Sequence, residues 1–338
     1  MSKKIFSTLF AVFVFIFLYV AAVVHDFFKR PVVMPGATTS VKVFQNQSLD
    51  ELTARLYEEG IIHHPQIFEW IVESTGDRYQ LRYGEYEIKY PMTTWQLMQN
   101  MLKGKGLVRH RFTIVNGWTF LNVRAALAQD TNLNQTIKNE SNAAILKTVS
   151  ADQTHIEGLF YPDTYFFTWG NSDVSLLKTA YQKMQKVLQN AWQTRAPNLS
   201  YKDAYQALIV ASLIERETSV DSEKPIIASV ILNRLKKNMR LQIDPTVEYG
   251  LEKTFSGKIT KADLHSKTDY NTYVINGLPP TPICMPEISS INAALHPADT
   301  DYLYYVATGN GGHYFSKTYA EHLKQIEAYK KTLTEKDK

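Results

Sequence analysis

Residues 204–218 read AYQALIVASLIERET. From Ala204 to Ile214 only Gln206 and Ser212 are clearly polar, and a helix that is apolar on every side is a buried one. Glu215, Arg216 and Glu217 arrive at its end, so charge is carried from the core to the core's edge. A carboxylate there loses hydration and meets the negative end of the helix dipole, and both effects disfavour its ionised form. A carboxyl that keeps its proton near neutrality is what general acid catalysis needs. Glu215 and Glu217 stand roughly 200° apart around a helix, so they face different ways and at most one is the acid. The other is expected to pair with Arg216, Arg234 or Arg240. Most glutamates at helix ends are simply solvated, but the apolar run preceding this one argues for a burial edge.

The rest of the chain frames that helix. Its 338 residues, 44% of them hydrophobic, suffice for two or three domains with sizeable cores. The net charge of +4, from 37 basic and 33 acidic side chains that are interspersed, gives no footprint for nucleic acid. A single cysteine, Cys284, excludes an internal disulfide framework and a multi-cysteine metal centre. The nine histidines lack metal-ligand spacing, no GxGxxG occurs, and no Walker lysine follows NGGH at 310–313. No metal and no cofactor are expected.

At the amino terminus Lys3 and Lys4 precede an uncharged run from Ile5 to Val24, followed by His25, Asp26, Lys29 and Arg30. Those twenty residues would span about 30 Å as a helix, the thickness of a bilayer's hydrocarbon. Val20, Ala21 and Ala22 also admit a cleavage site, but the length favours a retained anchor. With the lysines inside, residues 25–338 lie outside the cytoplasm. The expectation is a single-pass protein of the bacterial inner membrane with residues 25–338 in the periplasm. No nucleotide pool exists there, which favours a hydrolase, a lyase or a binding protein.

Residues 31–40, PVVMPGATTS, read as a linker. VKVF at 41–44 alternates like a strand, Ser48 stands at an N-cap before LDELTARLYEEG, and PQIFEWIVESTG starts a second helix at Pro65. YGEYEIKY at 83–90 is strand-like, and a helix begins near Thr94. This order makes a small α+β module over 41–107. Beyond it come a strand at 108–118, a helix from Thr119, a polar excursion over 130–152, helices over 176–192, 203–217 and 225–238, and a turn-rich remainder. The larger mixed α/β domain is read over 108–330, built around the buried helix, with a tail at 331–338. The aromatic stretch IEGLFYPDTYFFTWG (156–170) is core by habit, although Phe160, Tyr161, Tyr165, Phe166 and Trp169 could stack on sugar rings.

Three further motifs carry polar groups. LQIDPTVEYG (241–250) places Gln242 and Asp244 before a proline; Asp244 reads as an N-cap, or as a group that orients an acid or a sugar hydroxyl. YNTY (270–273) before NGLPP sets Tyr270, Asn271 and Thr272 on a rigid wall of ring, amide and hydroxyl suited to carbohydrate. NGGH reads as a hairpin turn between YLYYVAT and HYFSK, and His296 and His313 as structural. Ser212 and Thr218 lack a GxSxG elbow, which leaves serine hydrolysis remote.

At this point ASLIERET, ASVILNRLKKNMRLQIDPTVEYG, YNTYVINGLPPTPI, LHPA and YLYYVATGNGGHYF, in this order, resemble the endolytic murein transglycosylase family (MltG, YceG-like), as do IEGLFYPDTYFF and the amino-terminal span. The resemblance implies a LysM-like module at 41–107. It also implies cleavage of peptidoglycan glycan strands between N-acetylmuramic acid and N-acetylglucosamine. Glycan strands, the inner membrane and peptidoglycan synthase complexes become the expected partners. Glu217 with Thr218 matches the family's glutamate and hydroxyl pair, so the catalytic role falls on Glu217, with Thr218, Gln242, Asp244, Tyr270, Asn271 and Thr272 as substrate-binding candidates. A hydrolytic muramidase and a non-catalytic peptidoglycan-binding scaffold are the alternatives.

Overall fold

A computed structural model describes residues 3–33, 40–76, 81–252 and 255–336. The fold is mixed α+β, and the chain divides into two compact units. One comprises residues 1–111 with 132–134 and 166–171; the other comprises 112–131, 135–165 and 172–338. Of the stretch read as a linker, positions 34–39 lie outside the described residues.

The first unit opens with α1 (Lys3–Lys29), whose Ile5–Lys29 portion is long and apolar enough to cross a membrane and whose most apolar window is not buried by protein. Its end turns apolar rings inward, Phe27 and Phe28 lying 6.5 and 5.1 Å from Trp95. Then follow β1 (Ser40–Val43), α2 (Leu49–Glu58), α3 (Pro65–Ser74), β2 (Gly84–Glu87) and α4 (Thr94–Lys103). β1 and β2 pair antiparallel, Ser40 opposite Glu87 and Val43 opposite Gly84. Ser48 starts α2 through a capping box: its Oγ accepts from Glu51 N at 3.2 Å, and Glu51 accepts from Ser48 N at 3.0 Å. Leu52, Leu56, Phe68, Leu97 and Met98 close the core.

β3 (Arg109–Thr113) and β4 (Thr164–Thr168) run through the positions where the chain passes from one unit to the other. The second unit adds α5 (Phe120–Gln129), α6 (Asn142–Thr148), α7 (Asp173–Gln193), α8 (Ala204–Glu217), α9 (Lys224–Lys236), α10 (Asp244–Gly250) and a 3₁₀ turn (Asp263–His265). After these come α11 (Ile288–Leu295), the antiparallel hairpin of β5 (Tyr304–Ala307) and β6 (His313–Ser316), and α12 (Tyr319–Lys336). α8 is buried from Ala207 to Ile214 and packs against α7, α9, α10 and α11. Asp203 caps its start by accepting from Gln206 N at 2.9 Å. The hydroxyl of its buried serine is used: Ser212 Oγ donates to Ile209 O at 2.7 Å and accepts from Ile283 N at 3.0 Å.

Several elements differ from the sequence reading. The polar stretch 130–152 contains α6, which buries Ile145 and Leu146. The turn-rich end contains α11, whose Ile291, Ala294 and Leu295 are wholly buried. Phe160 and Tyr165 are core, Phe160 stacking on Phe120 at 5.4 Å, so neither offers a face to sugar.

Candidate active site

α8 ends abruptly. Thr218 is already extended (φ −146°, ψ 141°), so Glu217 is the last helical residue and its side chain leaves the helix where the chain turns away. The residue is half-buried. Desolvation pushes its carboxyl from 4.5 up to about 7, with the charges of Asp244 and Glu248 adding to the rise. Two groups oppose it: the Tyr305 hydroxyl, which donates a hydrogen bond to the carboxyl, and the Arg234 guanidinium. A carboxyl poised between protonated and ionised near neutrality, with a donor fixed on it, can give a proton and take one back.

Each neighbour is held from elsewhere. Arg234, on α9, is buried; its Nε donates to Leu303 O at 2.6 Å and its Nη1 to Leu241 O at 2.6 Å and to Gln242 Oε1 at 3.5 Å, while its guanidinium lies 5.3 Å from the Tyr304 ring. Asp244 is exposed and accepts from the Tyr273 hydroxyl at 2.5 Å. Glu248, one turn further on α10, pairs with Arg216 at 3.0 Å. Tyr305 comes from β5, and its hairpin is fastened beside Thr218. Glu223 Oε1 accepts from His313 N at 2.8 Å, Oε2 lies 2.8 Å from His313 Nδ1, and Thr218 Oγ1 donates to Oε2 at 3.3 Å.

The predicted residues divide accordingly. Glu217, Thr218, Gln242 and Asp244 gather at this place. Thr218 is 7% exposed and works within the protein, its Oγ also accepting from Val220 N at 3.1 Å. Asp244 is the first residue of α10 and makes no cap; Ile243 holds that position. Asn271 and Thr272 are wholly buried and structural. Asn271 Nδ2 donates to the carbonyls of Leu264 and Ser266 at 3.2 and 2.8 Å; Thr272 Oγ1 accepts from Ile243 N at 2.8 Å. These two correct the wall read from YNTY, since both side chains are consumed in bracing a loop that has no sheet to satisfy it. Tyr270 stands apart, packed on Tyr249 with its hydroxyl 3.0 Å from Thr281 Oγ1.

Glu215 finds no arginine. Its Oε1 accepts from Asn116 Nδ2 at 2.6 Å, and its Oε2 from Glu287 N at 3.1 Å and Ser290 Oγ at 2.6 Å, which places a negative charge at the start of α11. The expected pairing fails because an amide and a hydroxyl at a helix start, 72 and 75 residues away in sequence, compete for the same carboxylate. Tyr305 and Tyr273 join the cluster without having been singled out in the sequence, and Arg234, expected beside the other glutamate, faces Glu217 instead. The sequence signal for the first was the hairpin YLYYVATGNGGHYF, read only as a turn. Among the described residues no group of three His, Cys, Asp or Glu is placed to hold a metal ion.

A half-buried acid at a helix end, flanked by hydroxyls, a guanidinium and a second carboxylate, defines a class of acid-base sites. The chain belongs to the YceG-like family, whose model matches residues 41–328. It is 30% identical over 317 residues to the endolytic murein transglycosylase of Bacillus subtilis, covering 88% of this chain and 87% of that protein. Against the endolytic murein transglycosylase of Streptococcus pneumoniae serotype 2 the identity is 24% over 323 residues, 85% of this chain but 57% of the longer relative. A crystal structure of a yceG-like protein from Listeria monocytogenes matches with a TM-score of 0.55 and 30% identity, over 84% of this chain and 97% of that one.

Proposed function

We propose that this protein is a membrane-anchored endolytic lytic transglycosylase of peptidoglycan, with Glu217 as its acid and base. Protonated Glu217 gives its proton to the glycosidic oxygen between N-acetylmuramic acid and N-acetylglucosamine as the C1–O bond breaks. The resulting carboxylate takes the proton of the muramic acid 6-hydroxyl, whose oxygen closes on C1. The products are a 1,6-anhydro end and a free 4-hydroxyl, and no water is consumed. Tethering the nucleophile to the reacting ring replaces a second enzymic group. Asp244 offers negative charge to the oxocarbenium-like state, and Tyr305 and Arg234 steady the carboxylate between its two tasks.

The observation that carries this reading is the Glu217 carboxyl, brought to about 7 by burial at the end of α8 while the side chain remains reachable. The relatives' names supply the substrate. α1 supports an anchor formed by residues 1–30, and the order β1, α2, α3, β2 supports a LysM-like glycan-binding module at 41–107. We assign the linker to 31–40, the catalytic domain to 108–330 and the tail to 331–338. Residues 25–338 would face the periplasm, where nascent strands and their synthases are the partners.

Asp244 also gives a hydrolytic muramidase its foothold, since two carboxyls can activate a water. Full-length protein in detergent, incubated with purified glycan strands, separates the two by mass, a hydrolysed end being about 18 Da heavier than an anhydro end. Anhydro ends that vanish with Glu217→Gln are the expected result; anhydro ends unchanged in that variant would remove Glu217 from its role. Binding of strands without cleavage by the wild type would leave only a scaffold.

A further inference from the structure

A polar cavity lies in the second unit, and the reaction above makes no use of it. It encloses about 290 Å³, near the lower end of small-molecule sites and room for one sugar ring. Tyr249 and Tyr270 meet in its wall with centroids 4.7 Å apart at 63°, forming an apolar notch. Neither ring is free to swing. The Tyr249 hydroxyl donates to Glu157 Oε2 at 3.1 Å, and the Tyr270 hydroxyl is 3.0 Å from Thr281 Oγ1. Glu157, 6% exposed, is itself fixed by Phe120 N, which donates to its oxygens at 3.0 and 3.1 Å. Burial, the larger effect, raises the Glu157 carboxyl from 4.5 to about 7 against these hydrogen bonds. The group is therefore largely neutral at mildly acidic pH.

α10 links the cavity to the surroundings of Glu217. Asp244 and Glu248 of that helix act on Glu217, and Tyr249 of the same helix lines the cavity. Five residues separate Asp244 from Tyr249, a rise of about 7.5 Å. A second depression, lined in part by Arg216, Glu248, Tyr249 and Glu252, shares the last two with the cavity. Fixed aromatic faces beside Glu157 and the opposed charges of Arg124 and Glu252 suit an uncharged, amphipathic ring.

We propose that this cavity is a carbohydrate subsite holding an N-acetylated sugar of the same glycan strand, away from the bond cleaved over Glu217. The assignment rests on the transglycosylase reading. It makes strand length a determinant of turnover, because only a strand that reaches the Tyr249 and Tyr270 notch gains its binding energy.

Leu121 lines the cavity and is 55% exposed, so Leu121→Trp fills the space without removing a hydrogen bond. The experiment uses full-length protein in detergent and peptide-free glycan strands sorted by length. The variant should raise KM for long strands at least tenfold with kcat within twofold, and leave the shortest cleavable strand unaffected. Equal effects on all lengths, or none, would overturn the subsite. Should Leu121→Trp fail to fold, exposed His155→Trp fills the same cavity. If only strands that keep their peptide stems respond, the occupant is the stem and the sugar assignment is wrong. If wild-type protein cleaves nothing, the transglycosylase reading fails separately. Calorimetry of strand binding to Glu217→Gln with and without Leu121→Trp then decides the subsite, loss of length-dependent affinity supporting it and unchanged affinity refuting it.

Discussion

Glu223 grips His313 twice, its Oε1 accepting from the backbone amide and its Oε2 lying against ring Nδ1, both at 2.8 Å. His313 opens β6, directly across the ladder from Ala307 of β5, the strand that carries Tyr305 to Glu217. Thr218, the residue after Glu217, donates to the same carboxylate. Glu223 therefore positions the hydroxyl on the acid from two sides without touching the reacting atoms. Hydrogen bonds to a charged group contribute roughly 1.5–3 kcal/mol. Glu223→Ala should lower kcat about tenfold or more with KM nearly unchanged in steady-state assays, and Glu223→Gln should restore part of it. Burial works against its ionisation, but the His313 bonds win and hold the carboxyl below its ordinary range. Its contribution is present above the unfolded pKa and is lost as pH falls through the lower folded one. A Cβ at Gly312 would stand 2.8 Å from Glu223 Oε1, so Gly312→Ala should push this carboxylate aside and reproduce the kcat loss. A kcat that neither substitution moves would leave the grip a purely structural fastening.

The Tyr305 hydroxyl stabilises the ionised form of Glu217 and so lowers a pKa that burial has raised. Tyr305→Phe removes that donor and keeps the ring. The acid becomes weaker and holds its proton longer: the fall of kcat on the alkaline side, expected near pH 7 in the wild type, should move to higher pH. The plateau below it should drop about tenfold. A pH profile measured on purified strands checks both. A profile that keeps its alkaline limb in place would place the ionisation seen there on another group.

Much of this was legible because period and burial coincide. The apolar run of α8 can only be a core helix, and it ends in charge, so the site's acid could be found from one segment. Ser48 and Asp203 likewise announce helix starts through bonds that span three residues. What sequence could not supply was the partner of each polar side chain across long separations. Glu215 was assigned an arginine and instead meets amides and hydroxyls from Asn116 to Ser290. Asn271 was assigned a sugar and is consumed by its own loop. Tyr249 sits in a helical turn read only for Gln242 and Asp244, yet its ring points to a second cavity because α10 has two faces.

Asn271 offers a direct contrast between binding and bracing. Its Nδ2 donates to Leu264 O, Ser266 O and, at 3.4 Å, Asp263 O, and its Oδ1 accepts from Tyr273 N at 3.0 Å. Asn271→Ala leaves these buried groups without partners, at a cost of roughly 1–3 kcal/mol each in the worst case. Thermal unfolding should drop by about 5 °C or more. Activity per folded molecule should fall through Tyr273 and Asp244, and affinity for glycan should change little. A large loss of affinity with unchanged stability would return Asn271 to the substrate.

The raised carboxyl at position 217 has a consequence for stability that needs no substrate. Its folded pKa of about 7 exceeds the unfolded value of 4.5, so between those limits the native protein binds more protons than the unfolded chain. Stability must then fall as pH rises through that window. The loss is on the order of 3 kcal/mol when complete. Glu217→Gln, which cannot ionise, escapes it. The variant should match the wild type in thermal unfolding near pH 4.5 and exceed it by about 5 °C or more at pH 8. Glu157, raised to a similar value, supplies an independent slope that persists in this variant and disappears only in Glu157→Gln. Coincident unfolding curves for wild type and Glu217→Gln at pH 8 would mean that the carboxyl is not desolvated in the native state, and the acid would have to be sought elsewhere.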